Sequence, residues 1–212
     1  MAEQHLSRLL LLPAEIRLAI WELIMIHDQN PSSKTSYTPN QFHPASLLRT
    51  CKQINHETTP ILYQSNTFLA HPTLLSSLPS FLLRAQPTRL TLPPVTSSRV
   101  AQLIKKFFIH VRLDVDPRFS SLQATESFTG VESLEIEVFQ SMYGSCDFTN
   151  LRLFENVRGV GKAVVQGSIG DGNYAKWLEI CLMSPVGSEI CPYTEKWVGG
   201  SKSSDAWQRG IR

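Results

Sequence analysis

His56 and Glu57 form the pair that opens a zinc-protease helix, where two histidines four residues apart hold the metal and the glutamate activates water. The second histidine would stand at position 60, which is Pro60, so the ligand set is broken. The six histidines, at 5, 27, 43, 56, 71 and 110, are dispersed, and none pairs with Cys, Asp or Glu at ligand spacing on a predicted helix. Glu135 and Glu137 alternate out of one strand face, as paired acid and base carboxylates do; solvated charges on the polar side of a half-buried strand have the same spacing, and we read them so. Gly167 to Asn173, GSIGDGN, precedes a helix as a phosphate-binding loop does, but its order G-x-x-G-x-G is neither the dinucleotide fingerprint nor a P-loop, and no Lys-Ser follows. A plain turn with Asp171 or Asn173 as the helix cap accounts for it. Cys51, Cys146, Cys181 and Cys191 contain no C-x-x-C pair, which fits reduced thiols better than a disulfide framework or a zinc site. With no G-x-S-x-G elbow either, the expectation is of a chain that is not an enzyme and carries no cofactor and no metal.

Composition narrows the remaining classes. The 212 residues are 42% hydrophobic and only 18% charged, so uncharged polar residues must carry much of the surface. Twenty basic and eighteen acidic residues give a formal charge of +2 without long runs, so neither a nucleic-acid-coating stripe nor an acidic tail is present. No apolar segment reaches the roughly 18 residues that span a bilayer, and Leu9 to Leu12 is too short for a secretory signal. A cytoplasmic or nuclear protein without membrane contact is expected.

The signal lies in two blocks. Leu11 to Met25, LLPAEIRLAIWELIM, reads as a helix, with Pro13 in the first turn and Glu15 where the helix dipole favours an acid. Ile16, Ile20, Leu23 and Ile24 fall at i, i+4, i+7 and i+8, a stripe expected to be buried. Arg17 and Trp21 lie one turn apart on its flank, where the indole is covered by its own core or by a partner. Positions 27–43 form a Pro- and Ser-rich connector. Pro44 then opens a second helical segment on which Leu47, Cys51, Ile54 and Thr58 share a stripe, making Cys51 a core position, and Pro60 demands a kink or restart before Ile61.

Together these blocks, LLPAEIRLAIWELIM and LLRTCKQINHETTPILYQSNTF, resemble the F-box-like segment of a family of fungal proteins, with its LP-x-EIR-x-x-IW, LLRTC-x-QI and LY-x-x-N-x-F motifs. The likeness covers Leu12 to Phe68, and a weaker one continues through FENVRGVGKAVVQGSI and YAKWLE. It implies a helical module that docks on the Skp-type adaptor of a cullin-RING ubiquitin ligase, through Pro13, Ile16, Ile20, Trp21 and Leu23, while the rest of the chain presents a substrate. An ordinary F-box joins its first two helices by a short turn, whereas 17 residues intervene here.

Farther along, Leu74 to Leu82 suggests an amphipathic helix, Arg89 to Leu92 a short strand, and Ser97 or Ser98 a cap for a helix through Lys106. FFIHVRLDV, Phe107 to Val115, switches to period two. Phe107, Ile109, Val111, Leu113 and Val115 face the core; Phe108, His110, Arg112 and Asp114 face outward. Three segments share one template, namely Ile104-x-x-Phe107-x-Ile109-x-Val111, Val131-x-x-Leu134-x-Ile136-x-Val138 and Val160-x-x-Ala163-x-Val165-x-Gly167, with starts 27 and 29 residues apart. This resembles the spacing of leucine-rich repeats, although the asparagine step that usually follows is missing. Asn150 is expected to cap a helical return, Leu151 to Val157. A last helix places Tyr174, Leu178 and Cys181 on one face with Trp177.

The expected fold is thus α+β or α/β. A helical module at 1–68 precedes an irregular leucine-rich-repeat-like curved sheet with helical returns at 69–183, and a loosely ordered tail follows at 184–212. The expected function is protein–protein interaction, with Phe108, His110, Arg112, Glu135, Glu137 and Gln166 as the partner-binding face. Two readings of the N-terminal helices remain: an adaptor-docking module, or a cap for the open end of the sheet in a stand-alone scaffold.

Overall fold

In the computed structural model, which describes residues 7–26, 44–70, 98–114, 117, 119–139, 148–169 and 172–194, four strands lie side by side in chain order and run parallel. They are β1 (Thr67–Ala70), β2 (Lys106–Arg112), β3 (Ser133–Phe139) and β4 (Lys162–Gly167). The protein is therefore mixed α/β. The three copies of the sequence template are in register: Phe107, Leu134 and Ala163 form one row, Ile109, Ile136 and Val165 the next, Val111, Val138 and Gly167 the third. Ile104, Val131 and Val160, the first position of each copy, are buried as well. A period-two strand puts alternate residues on one face, so a template repeated in register makes one continuous apolar face that has to be covered.

A single turn, α3 (Ser98–Ala101), precedes β2, and the covering comes from the later returns, which are α4 (Ser121–Phe128), α5 (Thr149–Arg152) and α6 (Gly172–Met183). Phe128 of α4 meets Phe107 edge-on at 5.4 Å and Phe154 at 6.0 Å, while Ala124, Leu151, Leu178 and Leu182 complete the layer. Each such large side chain contributes about 1.5–3 kcal/mol by leaving water. Tyr174, Leu178 and Cys181 share the buried face of α6, as the spacing indicated.

Several local expectations are corrected. β1 was read only as the end of the second block; Phe68 aligns with Phe107, so the helical module runs straight into the sheet. The helix expected from Ser97 or Ser98 to Lys106 is a single turn at Ser98–Ala101, because Lys106 already begins β2. α4 was not anticipated, although Ser120 and Gln123 form a reciprocal capping box that is legible as S-x-x-Q. Asn150 is not a helix cap: it lies inside α5, and its Nδ2 donates to Arg112 O at 2.6 Å, tying the return to the end of β2. Asn173 is the second residue of α6, not a residue before it. Of the tail, Tyr193 packs edge-on against Tyr174 at 5.1 Å, and Trp177 Nε1 donates to Cys191 O at 3.3 Å, so 184–194 is fastened to α6. The connector 27–43, the helix at Leu74 to Leu82, the strand at Arg89 to Leu92, Val115, Cys146 and Asp171 lie outside the described residues.

The N-terminal module consists of α1 (Ala14–Met25), a 3₁₀ segment Pro44–Arg49 and α2 (Lys52–Ser65). Its break falls at Cys51, not at Pro60. Cys51 is extended and caps α2 through its sulfur, which accepts the Ile54 N–H, so it is no core position of the helix. α2 runs through Pro60. The hydroxyls of Thr58 and Thr59 donate to Ile54 O and Asn55 O at 2.7 and 2.6 Å, binding carbonyls one turn back just before the proline interrupts the ladder. Asn66 closes the module: its Nδ2 donates to Met25 O at 2.8 Å and Leu62 O at 2.9 Å, satisfying the C-terminal carbonyls of both helices. Asn66→Ala is expected to lower stability by about 1–3 kcal/mol, since it strands buried acceptors, and a urea titration reads this directly. Among the described residues no helix is long and apolar enough to cross a membrane.

Candidate interaction surfaces

α1 buries a different face from the expected one. Trp21 is 1% exposed and Met25 is fully buried, whereas Ile16 is 52% and Leu23 86% exposed. At 3.6 residues per turn Trp21 stands roughly 140° round the helix from Ile16, while Leu23 lies within roughly 20° of it. Of the expected stripe, Ile16 and Leu23 therefore face solvent, and Ile20 and Ile24 sit half-buried on its shoulder. Leu11 and Leu12 before the helix and Ile26 after it are exposed too. Pro13 is exposed and stands just before the helix, as its N-cap, with its carbonyl accepting the Arg17 N–H.

What turns Trp21 inward is a polar anchor between α1 and α2. Glu57 of α2 accepts from Arg17 Nε at 3.2 Å and Arg17 Nη2 at 2.7 Å, from Trp21 Nε1 at 2.9 Å and from Gln53 Nε2 at 3.1 Å. The fork of Arg17 also donates to Leu10 O and Leu12 O, fastening the segment before the helix. With side-chain exposures of 11% for Arg17 and 16% for Glu57, this is a part-buried, bidentate pair, the strong geometry for an ion pair. The Arg17 hydrogen bonds hold the Glu57 carboxyl down to about 2, with Trp21 and Gln53 adding to the effect. Trp21, one of the expected docking residues, thus belongs to the module's own core. A buried indole needs a partner for its N–H, and that requirement was the available signal.

The second surface is the open face of the sheet. Its rows are Thr67, Lys106, Ser133 and Lys162, then Leu69, Phe108, Glu135 and Val164, then His110, Glu137 and Gln166, then Arg112 and Phe139. His110 Nδ1 and Glu137 Oε2 are 2.8 Å apart, Gln166 Nε2 donates to Glu135 Oε1 at 2.8 Å, and Arg112 grips Asp114 with bonds of 3.1 and 2.8 Å. Five of the six expected face residues are therefore brought together in adjacent rows. The sixth is corrected: Phe108 is fully buried, between Leu69 and Glu135 in its row and with His110 edge-on at 4.7 Å. A ring in the second strand of a sheet has neighbours on both sides, so its parity alone did not make it accessible. The exposed apolar members are Leu69 and Phe139.

At the first row of this face, Lys106, Ser133 and Lys162 with Glu132 and Gly161 line an open hollow of about 500 Å³, in which Lys106 Nζ lies 3.3 Å from Glu132 Oε1. Burial pushes the Cys181 thiol up, away from the thiolate form that a nucleophile needs. Among the described residues no three His, Cys, Asp or Glu side chains come together as metal ligands.

No family model, curated protein or solved structure matches this chain. The functional reading accordingly rests on the two surfaces and on the motifs that lie in them.

Proposed function

We propose that the protein is an interaction module whose N-terminal helices dock on a Skp-type adaptor, in the manner of an F-box, while the open face of a leucine-rich-repeat-like sheet receives a protein partner. The observation that carries this reading is the outward stripe of α1. Ile16 and Leu23 are exposed on one line of a helix whose opposite side is locked to α2 by the Arg17–Glu57–Trp21 anchor. A folded module that solvates leucine and isoleucine while burying a tryptophan has a surface suited to a partner. The docking set is then Pro13, Ile16, Ile20 and Leu23, with Trp21 holding the helix in place. On the sheet, His110, Arg112, Glu135, Glu137 and Gln166 offer donors and acceptors around Phe139, the mixture that protein recognition uses.

The alternative role, a cap on the sheet, is supported by a separate observation. α2 leads directly into β1, Tyr63 stacks on Phe68 at 5.5 Å, and Lys106 Nζ donates to Ser65 O at 3.4 Å, so the module closes the β1 end. Capping uses the side of α2 that meets the sheet and leaves the outer side of α1 open, so the two roles are compatible. A pull-down with immobilised Skp-type adaptor, with an ordinary F-box alongside, tests the docking role. Retention of the full chain is the expected result; a wild-type protein that washes off while the control stays bound would reduce the helices to a cap.

A further inference from the structure

β4 ends the described sheet, and a parallel edge strand leaves half of its backbone groups turned away from its neighbour. Lys162 N–H donates to Glu132 O at 2.9 Å and Ser168 N–H to Val138 O at 2.8 Å, which fixes the even-numbered residues as the ones bonded to β3. Ala163 and Val165 therefore direct their N–H and C=O groups to the other side, while the Gly167 carbonyl accepts from Ile169 N–H at 2.9 Å. In the middle of that side, Val165 N–H donates to Glu179 Oε1 at 2.7 Å, a side chain reaching over from α6. Among the described residues no further strand pairs there.

We infer that Glu179 is an edge guard. Its carboxylate occupies the central outward donor of β4 and so keeps an additional strand, above all the β4 of a second copy, from extending the sheet. Three features of the chain make such a device useful. KAVVQG is apolar and β-branched at its centre, the composition that pairs most readily edge to edge. Ile180 and Met183 are exposed on α6 beside Glu179 and the turn that follows, so an added strand would find apolar surface near the edge. A carboxylate accepts but cannot donate, so while it is bound to Val165 N–H it also sets a negative charge in the path of an approaching strand's carbonyls. The sheet is thereby closed by a side chain on the β4 side.

The test compares wild type, Glu179→Ala and Glu179→Gln by sedimentation velocity over a hundredfold concentration range. Glu179→Ala is expected to self-associate at concentrations where wild type shows no change. Glu179→Gln, whose amide oxygen still accepts the Val165 N–H, is expected to associate less than Glu179→Ala. A native, folded Glu179→Ala that sediments like wild type throughout would overturn the proposal. Amide hydrogen exchange in the wild-type protein gives a reading that depends on no variant: Val165 is expected to be protected although its N–H is turned away from β3, and fast exchange at Val165 would count against the guard equally.

Discussion

Glu57→Ala is expected to lower the stability of the protein by about 2–4 kcal/mol at neutral pH, because two part-buried donors, Arg17 and Trp21, lose the acceptor they share. The loss has three parts. Arg17 keeps its charge in a site of 11% exposure but loses its fork acceptor, Trp21 keeps a buried indole N–H without its oxygen, and α1 loses the tie that sets its rotation against α2. The same carboxylate makes the effect dependent on pH with a definite sign. In the folded chain Glu57 is held at about 2, below the value of about 4.3 that it has in an unfolded chain. On acidification the unfolded chain therefore takes up the proton first. The contribution is fully present above about pH 5 and is lost as pH falls towards 2. Urea midpoints measured from pH 7 to pH 2.5 should fall more steeply for wild type than for Glu57→Gln, and parallel curves would show that the carboxylate is not the anchor.

The second large effect is expected at Gly167, the one template position that departs from the apolar pattern. Restoring the pattern with Gly167→Val should cost about 3–5 kcal/mol rather than stabilise β4. Gly167 has φ +110°, which a β-branched residue adopts only under strain, and a Cβ placed there would lie 2.2 Å from Val138 O of the neighbouring strand. Overpacking of that kind adds about 1–3 kcal/mol to the backbone cost. Gly167→Ala should be nearly as damaging, because the collision is at Cβ itself. Gly130→Ala, at φ +75° with nothing within 4 Å, should cost only about 1–2 kcal/mol. Equilibrium unfolding of the three variants separates collision from backbone strain; a stable Gly167→Val would mean that the close approach of Gly167 to Val138 O does not exist.

Gly167 also indicates how much of the fold could be read in advance. The three strands of the template were legible, and so was their common register, because a period-two pattern repeated at near-constant spacing leaves little choice of inward face. β1 was not legible: at four residues, Thr67–Ala70 is too short to show a period, and only its pairing with β2 defines it. α4 announced itself through Ser120 and Gln123 but has few apolar residues to give it a stripe.

The N-terminal helix gave the most instructive outcome. Hydrophobic periodicity located α1 but chose the wrong face as buried, because it weights Ile16, Ile20 and Leu23 above a flank that reads Arg17, Trp21 and Met25. That flank is inside because Glu57, forty residues on, pairs with Arg17 and accepts from the indole, an interaction no local pattern contains. The candidate surface emerged from this difference, since Ile16 and Leu23 of the stripe that the sequence marks as apolar stay exposed in the fold. On the sheet the opposite happened at Phe108, where parity indicated exposure and its neighbours in the sheet, with the His110 ring, helped to close over it.

Calorimetric titration of a Skp-type adaptor into the wild-type protein and into Leu23→Glu is the most direct measurement of the docking role. Leu23 is the most exposed large apolar residue of α1, so a glutamate there leaves the core intact and should leave the melting temperature unchanged. The expected result is saturable binding by wild type, weakened at least about tenfold in Leu23→Glu, a loss of about 1.4 kcal/mol or more. Wild-type protein that gives no binding heat and no retention, or a Leu23→Glu variant that binds as tightly as wild type, would contradict it.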